Sequence, residues 1–178
     1  MNANWAAHAT RIGLFVWAVI AATPAAAQVS FGSPGDPPRF VIGGGAFDVL
    51  PDPKKPGHGV TGLALGEYRF GDVVWIVSPF IGAMGTGKGA VYTYVGFGFD
   101  INLPANFVVT PSFAGGYYYN GTGINLGSWW EFRSGAELDY RFPDKKRLGV
   151  GFYHISNAGL GRQNPGVELA TMVLTAPF

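Results

Sequence analysis

From residue 39 onward the chain alternates apolar and polar or small side chains in runs of about ten residues, and Gly, Asn, Asp and Pro separate the runs. Eight runs stand out: Arg39–Val49, Val60–Phe70, Val73–Met84, Ala90–Ile101, Phe107–Tyr119, Ser128–Tyr140, Lys146–Ser156 and Val167–Phe178. A period of two is the mark of a strand whose two faces meet different surroundings. Each run is close to the nine to eleven residues with which a tilted strand crosses a bilayer. The last two runs are the sharpest, and Gly43-Gly44-Gly45 blurs the first.

The connections alternate in character. Gly71-Asp72, the stretch 102–106 and Pro143-Asp144-Lys145 are compact, whereas 50–59, 85–89, 120–127 and 157–166 are longer or looser. Short turns at one end and longer loops at the other are the habit of outer-membrane barrels, whose long loops are extracellular. A water-soluble sandwich or lipocalin-like barrel has similar strand lengths and turn spacing. Charges are sparse on the runs, aromatics such as Trp75, Tyr117, Trp129, Trp130, Tyr140 and Tyr153 gather near run ends, and the chain finishes on Phe178. These features favour the membrane. The expected fold is all-β, an eight-stranded antiparallel transmembrane barrel of the bacterial outer membrane.

Composition fits an exported chain. Arg11, the apolar stretch 12–22 and Ala25-Ala26-Ala27 together read as a secretory signal peptide over residues 1–27. The barrel is then one domain over 28–178, and no later run approaches a spanning helix. The whole chain has 12 basic and 11 acidic residues; without Arg11 the two balance, which gives no footprint for nucleic acid. Cysteine is absent, so neither disulfides nor thiolate chemistry enter. Outside the signal peptide the histidines are His58 and His154, with no ligand-like spacing, so neither a metal nor another cofactor is expected.

The chemistry gathers in the last quarter. In the seventh run Leu148, Val150, Phe152, His154 and Ser156 share one face, and in the eighth Glu168, Ala170, Met172, Leu174, Ala176 and Phe178 do. Both faces are apolar and therefore look at lipid in a membrane barrel. If the hairpin turns about Gly161, His154 lies opposite Glu168 and Ser156 opposite Gly166. Opposed side chains on one face have Cβ atoms roughly 4.5–5.5 Å apart. A single interfacial His would be unremarkable. Three polar groups converging on a lipid-facing surface are costly and point to function, and Ser, His and Glu are the inventory of a nucleophile, its base and an orienting carboxylate.

The residues His154-x-Ser156-Asn157-Ala158-Gly159 and Asn164-x-Gly166-x-Glu168, before a final strand ending in Phe178, resemble the lipid A 3-O-deacylases of the PagL type. The likeness is sharp over about Gly149 to Phe178 and general upstream. That resemblance implies an outer-membrane hydrolase that removes the ester-linked acyl chain at the 3-position of lipid A. Ser156 would be nucleophile, His154 general base and Glu168 the carboxylate that orients it. Asn164 would form the oxyanion hole with a backbone N–H near Ala158 or Gly159, and Asn157 would shape the loop. Apolar surface around Phe152, Leu160 and Met172 would face the acyl chain. The implied partners are lipopolysaccharide and outer-membrane lipid, with a homodimer left open. The alternative reading is a structural or adhesive barrel without catalysis; a pore is disfavoured, because eight strands leave an interior that side chains fill.

Overall fold

A computed structural model describes residues 28–52, 57–71 and 73–178. The expected signal peptide lies outside the described residues. Eight long strands follow one another: β1 (Arg39–Phe47), β2 (Thr61–Arg69), β3 (Val77–Thr86), β4 (Val91–Phe99), β5 (Phe107–Tyr119), β6 (Trp130–Arg141), β7 (Arg147–Ser156) and β8 (Val167–Pro177). Each pairs antiparallel with its sequence neighbours, and β8 also pairs with β1, so the sheet closes. This is an eight-stranded antiparallel β-barrel. A two-residue strand, Ser30–Phe31, adds a short edge by pairing with Ile101–Asn102.

The strands agree with the alternation in the sequence to within four residues. The largest correction is at the third run, where Val73 to Ile76 form a turn rather than strand. Trp75 is in the left-handed region at φ 56°, Val77 N–H donates to Val74 O, and Val73 N–H donates to Val77 O. The fourth run is interrupted at Asp100, which binds inward-facing groups, and resumes as the two-residue strand Ile101–Asn102 against Val109 and Val108 of β5. The glycine triplet does not break β1. A Cβ at Gly45 would collide with the Ala170 carbonyl, so the glycine lets β1 and β8 approach.

Burial alternates along the strands, and unlike a soluble protein the chain exposes large apolar side chains on its outer face and buries charged ones inside. Ile42, Val95, Val150, Met172 and Leu174 are exposed on the outer wall, while Glu67, Arg69, Arg133, Glu137 and Arg147 are buried in the lumen. That is a wall made for lipid around an interior that holds both a charged network and an apolar cluster including Leu63, Leu65, Phe80 and Met84. Glu67 binds Arg69 at 2.6 Å and Arg133 at 2.8 Å, and Glu137 receives Arg69 Nη1 at 2.7 Å. The Arg133 guanidinium also lies over the rings of Tyr94 and Tyr153, at 4.4 and 4.5 Å from their centroids. At the end with the short turns, Asp100 accepts from Arg147 at 2.6 Å, from Ser33 at 2.6 Å and from Thr110 at 2.9 Å. Aromatic rings mark both rims. Phe40, Tyr68, Phe70 and Phe178 pack at the turn end, and Tyr117, Trp129 and Trp130 at the loop end.

Register across β6, β7 and β8 fixes what stands beside what on the outer wall. Phe132 faces Ser156; Ser134 faces His154, which faces Glu168; Ala136 faces Phe152, which faces Ala170. The β7–β8 ladder stops at Ile155 opposite Val167. Gly166, at φ 66°, turns the chain away there, so Ser156 has no ladder partner on the β8 side.

Candidate active site

The loop end of the β7–β8 hairpin holds the predicted residues. His154 and Ser156 are two positions apart on β7, hence on the same outer face, and both are half-buried. Glu168 is the second residue of β8, and its Oε1 lies 3.2 Å from His154 Nδ1. An ionised carboxylate only accepts, so this contact requires the proton on Nδ1. The acceptor lone pair then belongs to Nε2, the nitrogen free to take a proton from a hydroxyl. Glu168 thus sets the tautomer that a general base needs.

Ser156 makes no hydrogen bond to His154 among the described residues. The two Cα atoms are separated by one strand repeat, about 6.6 Å, on the same face. Contacts of this kind are often loose until substrate is bound. The structure therefore brings His154 and Glu168 together and holds Ser156 beside them.

One glycine controls the imidazole. A Cβ on Gly166 would lie 2.7 Å from His154 Cε1 and 3.3 Å from Nε2. The ring thus rests against the backbone of residue 166, and the left-handed φ makes glycine doubly favoured there. The sequence shows Pro165-Gly166 only as a turn before β8. Nothing local announces that it also forms one wall of the histidine's seat.

Asn157 is the hub of the loop after β7, and its side chain is fully buried. Its backbone N–H donates to Asn164 Oδ1 at 3.1 Å, and its own Oδ1 accepts from Gly159 N–H at 2.9 Å. Its Nδ2 donates to Gln163 O at 2.8 Å and to Leu126 O at 2.7 Å. The last bond ties this loop to the one between β5 and β6, a partnership with no sequence signal. With its oxygen accepting from Asn157, Asn164 keeps an Nδ2 that makes no hydrogen bond among the described residues. Ala158 is left-handed at φ 55° and its N–H is unpaired among the described residues, whereas the Gly159 N–H is engaged by Asn157. No group of three or more metal-ligating side chains gathers among the described residues.

Two comparisons bear on this geometry. The family model described as lipid A 3-O-deacylase (PagL) matches residues 3–177, nearly the whole chain. The chain belongs to the PagL family. Its fold is similar to the crystal structure of the outer membrane enzyme PagL, at TM-score 0.62 and 18% identity over 79% of this chain and 99% of that one. A de novo designed transmembrane β-barrel aligns at TM-score 0.50 and 15% identity, over 84% of this chain and 100% of that one. The Yersinia pestis outer membrane protein Ail also aligns at TM-score 0.50, with 10% identity over 80% of this chain and 100% of that one. No curated protein matches the chain. A PagL-family barrel thus carries the His154–Glu168 pair on its lipid-facing wall.

Proposed function

We propose that this PagL-family barrel is a serine esterase that hydrolyses the ester-linked acyl chain at the 3-position of lipid A in the outer leaflet. The observation that carries the reading is the His154–Glu168 contact at 3.2 Å, set beside Ser156 on an outer wall whose large side chains are apolar. Such a site meets its substrate in the plane of the membrane, with no need to extract it. The long loops would be extracellular, which puts the hairpin end at the depth of lipid A's ester linkages.

In the proposed cycle Ser156 Oγ attacks the ester carbonyl as its proton passes to His154 Nε2. Glu168 stabilises the imidazolium. Charge on the former carbonyl oxygen is met by Asn164 Nδ2 and an amide of the Ala158–Gly159 turn, with Asn157 holding both in place. Collapse of the tetrahedral intermediate breaks the ester bond, and His154 returns the proton to the leaving sugar oxygen. Water, activated by the same histidine, then releases the fatty acid and restores Ser156.

Expression in a bacterial outer membrane, followed by mass spectrometry of extracted lipid A, tests this. The expected product has lost one 3-linked acyl chain. Unmodified lipid A from cells containing the folded barrel would overturn the reading.

A further inference from the structure

The loop between β1 and β2 meets the active site at Glu168. The β1–β8 ladder ends with Phe47 opposite Leu169, one residue short of Glu168. Asp48 then turns left-handed at φ 60°, and Val49 N–H donates to Glu168 O at 3.0 Å. On its β1 side the Glu168 backbone is therefore held by a residue of the loop, outside the ladder. Strand ends are where local opening begins, so whatever fixes Val49 bears on the carboxylate that touches His154.

Asp48 does that fixing. Its side chain is 2% exposed and that of His58 5%, and His58 Nδ1 lies 3.1 Å from each oxygen of the Asp48 carboxylate. The carboxylate also accepts from Gly59 N–H at 2.6 Å, so it joins the two ends of the loop. Aspartate is among the few non-glycine residues found often in the left-handed region, and these bonds hold it there. The far end of the loop is wedged between two others. Lys88 Nζ donates to Gly59 O at 3.1 Å, and a Cβ on Gly57 would lie 3.0 Å from Ile124 Cα. The Asp48–His58 contact repeats the carboxylate–Nδ1 arrangement of the active site, but His58 Nε2 is buried without a hydrogen-bond partner among the described residues. An enclosed ring of this kind serves position, not chemistry.

We propose that Asp48 is a positioning residue for the reaction: with His58 it locks the β1–β2 loop so that Val49 holds Glu168 against His154. The inference rests on the deacylase reading above. The Glu168–His154 contact is 3.2 Å long, and a displacement on the order of half an ångström would take it beyond hydrogen-bonding distance. Releasing Val49 frees the start of β8 on one side only. The β7–β8 ladder remains, so the barrel keeps its fold while the carboxylate loses its aim.

The test uses the full barrel in detergent micelles with lipid A as substrate. Released fatty acid is read by mass spectrometry, and heat-modifiable gel mobility counts the folded molecules. Asp48→Ala is expected to lower kcat per folded barrel about tenfold, with KM within about twofold of wild type. Asp48→Asn keeps an oxygen for Gly59 and a residue type suited to the left-handed turn, so it should recover most of that loss. His58→Ala should lower kcat about threefold, and it carries the test should Asp48→Ala fail to fold. In a Glu168→Ala background Asp48→Ala is expected to add no further loss, because the group it positions is gone. Wild-type kcat in folded Asp48→Ala and His58→Ala overturns the inference, as does a loss carried by KM or one that persists undiminished without the Glu168 carboxylate. Each of those outcomes leaves the deacylase reading standing. A wild type that releases no fatty acid overturns both.

Discussion

The two faces of β7 place polar groups in opposite situations. Inward, Arg147 and Tyr153 join a lumen in which acids and bases meet, with Glu67 serving both Arg69 and Arg133 and Asp100 taking Arg147. Outward, Leu148, Val150 and Phe152 give way at the rim to His154 and Ser156. These paired inner charges are explained by their partners: an eight-stranded barrel must fill its lumen with side chains, and a buried charge is favoured when it is paired. The outer groups have no such structural reason. Lipid would be better served by leucine, so a His–Glu contact there points to chemistry. Where a polar group stands in a barrel wall says more about its purpose than which group it is.

The sharpest way to break this contrast is at Ser156. Ser156→Ala is expected to lower deacylation by about 10⁴-fold or more while the barrel folds normally, and His154→Ala should do the same. The double variant should be no worse than either single one, because members of a triad act as a unit. Rates on lipid A and heat-modifiable mobility are the paired readouts. Substantial activity in Ser156→Ala would exclude the serine route.

Gly166→Ala probes the same face more gently. The added methyl would meet His154 Cε1 at 2.7 Å, so the ring must shift while Glu168, Ser156 and the ladder remain. Misplacing a catalytic group by a fraction of an ångström to one ångström can cost up to about 100-fold. The loss should fall on kcat rather than KM. An unchanged kcat would mean that the imidazole is not seated on residue 166 in the working enzyme.

Crossing to the lumen should reverse the pattern. Glu67→Leu strips Arg133 of its carboxylate, leaving a buried cation with its tyrosine neighbours. Breaking a buried pair on one side costs about 3–5 kcal/mol. Unfolding in urea from detergent micelles should register that loss. The activity of the molecules still folded is expected to stay within a few-fold of wild type. A large specific loss of activity would show that lumen and outer wall are coupled through the strands.

These contrasts also explain what could be read from the sequence. The strands were legible because lipid outside and a lumen filled by charged, aromatic, aliphatic and glycine residues give the two faces of each long run different side chains, and the opposition of His154 to Glu168 followed from that period of two and the hairpin's centre. The turn at Val73–Ile76 was not legible, since apolar residues continue through it and only the left-handed Trp75 ends the pairing. The β6 side of the site was equally hidden. Ser134 and Ala136 come next to His154 and Phe152 through a register between strands joined by a short turn, and small residues carry no motif. The Asn157–Leu126 bond links two loops 31 residues apart, a distance that local pattern does not span.

A third environment completes the comparison at the β6–β7 turn, where Lys146 Nζ lies 2.8 Å from Asp144 Oδ2 with both side chains more than half exposed. The Lys146 side-chain hydrogen bond and its backbone N–H hold the Asp144 carboxyl below its ordinary range, and the same contact raises the Lys146 ammonium. A carboxylate depressed in the folded state contributes above its unfolded pKa and loses that contribution as pH falls through the folded value. Water and salt screen both groups here, so the pair is expected to add nothing measurable. Asp144→Asn should therefore leave the urea midpoint, its pH dependence and the deacylation rate as in wild type. A midpoint lowered near neutral pH, and no longer falling on acidification as the wild type's does, would give this exposed pair a weight belonging to the lumen. Ion-pair geometry alone, rather than the medium around it, would then decide what a charge is worth in this barrel.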